Sequence, residues 1–288
     1  MRKIKVAAIQ MRCSEDILEN IAKAKGIARK AVEEGAQMIL LPELFARPYF
    51  CQEKKEEYYA YAETVEESLI VREFISFAKE FKVVLPISFY EKDGLRTYNS
   101  VAVLDADGTN LGVYRKMHIP DQHTSQEKFY FSPGDEGFKT FKTAYGIIGV
   151  GIGWDQWFPE AARSFVLQGA ELLFYPTASG SGLLKNNNSM GHWRRVMQGH
   201  AAANLIPVIA ANRMGTEEVK PCEENGNQES SLAFYGNSFI ASETGKLVQT
   251  FGRKDEGILI ESFDLDELAA ARLACGLFRD RRPETYQL

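Results

Sequence analysis

Short apolar runs alternate with stretches of helical periodicity along the whole chain. Residues 4–10 are rich in Val, Ile and Ala, as a buried strand should be. From Ser14 the apolar positions recur at helical spacing, with Ile17, Ile21, Ala24, Ile27, Ala28 and Ala31 on one face and Gly35 as the stop. Residues 38–41 predict a second strand that runs directly into Pro42-Glu43. A helix follows Ser68, with Leu69, Phe74, Phe77, Ala78 and Phe81 as its stripe, and residues 83–89 return as a strand. Asp93-Gly94 and Asp107-Gly108 predict hairpin turns on either side of the apolar segment 100–104. Residues 147–152 predict a strand, and Pro159 suits the first turn of the helix that follows. A strand at 172–175, a helix at 192–204 and a strand at 207–211 continue the alternation. Further strands around Phe239 and Leu247 flank a turn at Thr244-Gly245, and a strand at 258–263 leads to a helix near Asp264 or Asp266. The pattern predicts a mixed sheet covered by helices, and a doubly wound sheet and a two-sheet sandwich fit it equally.

Composition narrows the function classes more than the fold. At 288 residues the chain can bury roughly 75% of its unfolded surface without disulfides or structural metal. No repeat or long linker divides it, so residues 1–288 read as one domain with a C-terminal extension from about residue 264. The net charge of -5 argues against nucleic acid as a partner. The pairs Arg194-Arg195 and Arg281-Arg282 are too short for a basic stripe and read as ion-pair elements. No apolar run reaches the roughly 18–20 residues of a membrane span, and the first residues show no signal-peptide pattern. Cys13, Cys51, Cys222 and Cys275 are scattered, the usage of free thiols in a reducing cytoplasm. His118, His123, His192 and His200 lack metal-ligand spacing, and no glycine-rich phosphate loop follows a strand, so neither a metal nor a nucleotide cofactor is expected.

Candidate chemistry lies where polar residues follow strands at once. Three segments share that design: Ile39-Leu40-Leu41-Pro42-Glu43, Tyr114-Arg115-Lys116-Met117-His118, and Val150-Gly151-Ile152-Gly153-Trp154-Asp155. Singly, each polar residue reads as an ordinary loop or solvated group. In this order they resemble the nitrilase superfamily of carbon–nitrogen hydrolases, which carries a Leu-Pro-Glu motif, an Arg-Lys-x-His motif and a Cys-Trp-Asp motif. Glu127-Lys128-Phe129-Tyr130-Phe131, Trp157-Phe158-Pro159-Glu160, His192 to His200 and Phe278 to Pro283 resemble its N-carbamoylputrescine amidase-like branch.

The resemblance implies an αββα sandwich, homo-oligomers, no cofactor and a small amide or carbamoyl substrate of polyamine type. It assigns Glu43 as general base and acid, Lys116 with the backbone N–H of Trp154 as the oxyanion clamp, and Glu127 as a second glutamate beside the lysine. The family's nucleophilic cysteine falls at Gly153, which has neither proton nor lone pair to offer. Loss of such a nucleophile typically costs on the order of 10⁶-fold in turnover. The loops also depart from the branch, at Gln122-His123-Thr124-Ser125 and Ser179-Gly180-Ser181-Gly182. That makes His123, Ser125, Trp157, Ser179, Gly182 and His192 candidate pocket residues. Three readings follow: an inactivated or redesigned amidase scaffold, an enzyme with new acid–base or Ser/His chemistry, and a non-catalytic binding or assembly protein.

Overall fold

The computed structural model describes residues 1–181 and 189–286. The first half of the chain lays down β1 (Lys3–Gln10), β2 (Met38–Leu40), β3 (Leu85–Asp93), β4 (Arg96–Leu104) and β5 (Asn110–Arg115). The second half adds β6 (Thr140–Thr143), β7 (Gly146–Val150), β8 (Leu172–Thr177) and β9 (Val208–Asn212). A hairpin of β10 (Thr216–Val219) and β11 (Ser230–Ala233) follows, and then β12 (Phe239–Ala241), β13 (Leu247–Thr250) and β14 (Gly257–Asp264).

These strands form two facing layers. One runs β14-β1-β2 and continues through main-chain bonds between residues 37–39 and Val84 into β3-β4-β5. The other is the six-stranded sheet β13-β12-β9-β8-β7-β6. Alternation along β1 accounts for the stacking. Val6 and Ala8 face the core between the sheets, with Leu40, Ile148, Val150 and Phe174. Ala7 and Ile9 face the other way, into a second core with Ile21, Ala24, Ala28, Phe74 and Phe77. Both faces of β1 are therefore apolar, which is why its sequence reads as a continuous run.

Helices α1 (Ile17–Glu33) and α2 (Leu69–Phe81) cover the first sheet. Helices α3 (Pro159–Leu167) and α4 (Ser189–Asn204) contribute Ala161, Phe165, Trp193 and Met197 to the core under the second. The architecture is αββα, the alternative that periodicity left open and the resemblance implied. After β14, α5 (Leu265–Cys275) buries Leu265 and Leu268 against the intersheet core.

Several boundaries move for identifiable reasons. Helix α1 begins at Ile17 rather than near Ser14, because the Asp16 carboxylate accepts from Leu18 N at 2.8 Å and Glu19 N at 3.1 Å. Ser14 instead donates its N–H to Asn20 Oδ1 at 2.8 Å. Strands β6, β10 and β11 were not anticipated, since segments such as Thr-Glu-Glu-Val carry too little apolar alternation to read as strands. Arg194 is not an ion-pair element: it donates to the carbonyls of Asn237 and Phe251.

Candidate active site

Glu43, Lys116, Gly153, Ala178 and Arg213 each lie within a few residues of the end of a strand, after β2, β5, β7, β8 and β9 respectively. Glu43, Lys116 and Glu127 are 2%, 1% and 1% exposed, so three ionisable side chains share one dry enclosure. Lys116 Nζ donates to Glu43 Oε1 at 2.7 Å and to Glu127 Oε1 and Oε2 at 2.9 and 2.7 Å. Glu43 Oε1 also accepts from Asn99 Nδ2 at 2.7 Å, and its Oε2 accepts the Ala178 N–H at 3.0 Å. Desolvating each charge costs several kcal/mol, and only close pairing with saturated hydrogen bonds offsets it.

The charges set the protonation states. Burial alone would pull the Lys116 pKa down, but the Glu127 and Glu43 carboxylates outweigh it and hold the ammonium above its ordinary value. Burial raises Glu127 first, the Lys116 charge opposes this, and repulsion from Glu43 leaves it above the usual carboxylate range. Tyr49 donates its hydroxyl to Glu127 Oε1 at 2.5 Å, and burial beside that carboxylate pushes its pKa well above 10.

Gly153 opens the short 3-10 turn Gly153–Trp157 with φ +46°, in the left-handed region. A Cβ placed there would clash with Glu43 Oε2 and lie 2.8 Å from Oε1. A side chain at this position requires the carboxylate to move, and that carboxylate is held by three donors. The left-handed conformation itself costs a non-glycine residue about 1–2 kcal/mol.

Two further groups, both missed from sequence, hold these loops in place. Asp155 is fully buried and accepts from Tyr114 Oη at 2.9 Å, Ile152 N at 2.9 Å, and His118 N and Nδ1 at 3.0 and 2.8 Å. It ties the loop after Lys116 to the loop carrying Gly153, while the His118 ring stacks on Phe158 at 3.6 Å. Arg213, also fully buried, donates to the carbonyls of Glu43 (3.0 Å), Leu44 and Arg47 (2.9 Å), and pairs with Glu217 Oε1 at 3.0 Å. Glu217 Oε2 accepts the N–H of Tyr49 at 2.6 Å. Leu44 sits at φ +49°, so the clamp holds a strained residue directly after Glu43.

These groups surround a cavity of about 60 Å³ lined by Glu43, Lys116, Glu127, Gly153 and Trp154. Ser125, Trp157 and Ser179 also line it. His123 does not: its side chain is exposed on the loop. His192 is exposed too and packs edge-on against Trp157 at 4.9 Å. Gly182 lies outside the described residues. His200 Nε2 bonds the Gln156 carbonyl at 2.7 Å, which makes it a structural histidine. Among the described residues, no group of three or more His, Cys, Asp or Glu is arranged to hold a metal ion. No helix among them is long and apolar enough to cross a membrane.

Comparisons with known proteins converge. The carbon-nitrogen hydrolase family model matches residues 5–273. An N-carbamoylputrescine amidase of Oryza sativa subsp. japonica is 52% identical over 287 residues, covering 99% of this chain and 94% of the rice protein. A citrullinase of Francisella tularensis is 48% identical over 287 residues, covering 99% and 98%. The crystal structure of a carbon-nitrogen hydrolase from Helicobacter pylori superposes with a TM-score of 0.90 at 34% identity, covering 99% of this chain and 97% of that one.

Proposed function

This chain belongs to the carbon–nitrogen hydrolase family, and on that premise we propose that it is an amidohydrolase scaffold of the N-carbamoylputrescine amidase or citrullinase type, with Gly153 standing where the reaction needs a thiol. The observation that carries the reading is the buried Glu43–Lys116–Glu127 cluster, packed against Gly153 at the bottom of one small cavity. The substrate class is a small amide or carbamoyl compound, with its carbonyl set beside Lys116. Glu43, beside position 153, is placed to take a proton from a nucleophile there and deliver it to the departing nitrogen. Lys116 and the Trp154 N–H are the groups to stabilise the tetrahedral oxyanion. With glycine at 153, the covalent step has no nucleophile, so the chain binds its amide without acylation at that position. Trp157 and Ser179 contact the part of the ligand beyond the reacting carbonyl.

Ammonia release from N-carbamoylputrescine, citrulline and a panel of small amides tests this, comparing the chain with Gly153→Cys. The expected result is turnover in the variant alone, at least several orders of magnitude above the parent. The thiol variant requires the Glu43 carboxylate to shift, and its crystal structure should show that displacement. Amide turnover by the unsubstituted chain at a family-like rate sinks the assignment of position 153.

A further inference from the structure

Ser125 lines the cavity beside Glu43 and Lys116, and it heads a hydrogen-bonded chain that runs through Tyr49 to Glu127. Its Oγ lies 2.7 Å from Tyr49 Oη. A phenol has one proton, and Tyr49 gives it to Glu127 Oε1 at 2.5 Å. The phenol oxygen is therefore the acceptor from Ser125, and the chain is polarised in one direction, from Ser125 through Tyr49 to Glu127. Glu127 is fixed in turn by two bonds from Lys116, at 2.9 and 2.7 Å. Tyr49 is fixed through its N–H by Glu217 at 2.6 Å. A hydroxyl facing a cavity, bonded to a proton acceptor that a third group orients, is the arrangement that activates a serine. The exposed His123 plays no part in it.

We propose that Ser125 is a nucleophile that takes the acyl group of a small ester and passes it to water. The Ser125 Oγ lone pair forms the bond to the carbonyl carbon. Its proton moves to Tyr49 as the Tyr49 proton moves to Glu127, so the phenol is neutral before and after. Collapse of the tetrahedral intermediate breaks the bond from carbon to the alkoxy oxygen. The proton on Glu127 returns through Tyr49 to that oxygen, which departs as an alcohol. Water then attacks the acyl-serine and gives a proton to the same relay, and Ser125 Oγ takes it back as the carboxylic acid leaves. Ester and water are consumed, and acid and alcohol are formed. The strongly raised pKa of Tyr49 suits a neutral relay and rules out a standing tyrosinate base.

The test uses the full chain and p-nitrophenyl acetate. The expected result is a burst of p-nitrophenol release, with the acetyl group mapped to Ser125 after acid quenching. Ser125→Ala, on a half-exposed loop, should keep the thermal midpoint and lose both burst and adduct. Tyr49→Phe keeps the ring but breaks the relay, and should slow acetylation by about 10²–10⁴-fold, the usual contribution of positioned proton transfer. Ser125→Cys should restore the burst, with the acetyl group on the substituted residue. No burst, a burst surviving in Ser125→Ala, or acetylation confined to lysines overturns the proposal. Those failures leave the amide reading untouched, because ammonia release from amides by Gly153→Cys tests it separately.

Discussion

Lys116 is the residue on which the charge balance of the cavity turns. It is one ammonium between two carboxylates, all nearly inaccessible to water. Removing it leaves Glu43 and Glu127 buried and unpaired, so Lys116→Met should lower unfolding free energy by about 3–5 kcal/mol at neutral pH. The loss should depend on pH with a definite sign. Glu127 already binds its proton more tightly folded than unfolded, so its contribution to stability declines as pH rises above the ordinary carboxylate value. Lys116 is the charge that limits this rise, and without it the folded-state pKa of Glu127 climbs further. Urea midpoints measured from acid to neutral pH should therefore fall more steeply with pH in Lys116→Met than in the parent. Parallel pH curves would mean that the ammonium does not set the protonation of Glu127.

At the scale of elements, the loops after the strands are held by groups that do no chemistry themselves. Arg213, one residue past β9, reaches into the loop after β2 and bonds three of its carbonyls. Its replacement by Met keeps much of the volume but leaves those carbonyls and Glu217 without their donor. Arg213→Met should cost about 3–5 kcal/mol by urea denaturation, the range for breaking a buried ion pair from one side. It should also speed amide hydrogen exchange in residues 43–49 more than in α2, because the strained Leu44 loses its restraint. A loss of stability with no local change in exchange would make Arg213 a general core residue instead of a clamp on the Glu43 loop. Neither this clamp nor the His118–Asp155 latch was legible beforehand. Arg213 is more than 160 positions from its carbonyl partners, and an arginine after a strand reads as solvated. The latch involves His118 and Asp155, each the last residue of a motif singled out for other members, and their pairing depends on two strand ends lying side by side.

For the molecule as a whole, the resemblance implied homo-oligomers, and one surface supports that expectation. An open groove along the outer face of α3 and α4 is lined by Leu167, Leu277 and Tyr286, which are 48%, 43% and 47% exposed. Clustered exposed apolar groups mark association surfaces, and a second copy of this chain is the proposed occupant. Sedimentation equilibrium should give a mass that is a multiple of the monomer's, and Leu167→Glu should shift it downward. A monomer at all concentrations would refute this.

The sequence by itself determined what depends on local order: strand and helix periodicity, the turns at Asp93-Gly94 and Asp107-Gly108, and the helix after Ser68. The resemblance of its short motifs to the family, rather than local order, grouped Glu43, Lys116, Glu127 and Gly153 as one set. Periodicity left open the choice between one doubly wound sheet and two stacked ones; the motif resemblance implied the stacked pair, and the tertiary structure has it. Both faces of β1 are apolar, so periodicity carries no information about what covers each face. Tertiary structure alone decided which polar side chains share the cavity. Hydrogen bonds such as Ser125 to Tyr49 and Tyr49 to Glu127 join residues separated by 76 and 78 positions, and only packing sets those distances. The same packing left His123 in solvent and placed the Glu43 carboxylate where a side chain at position 153 would stand.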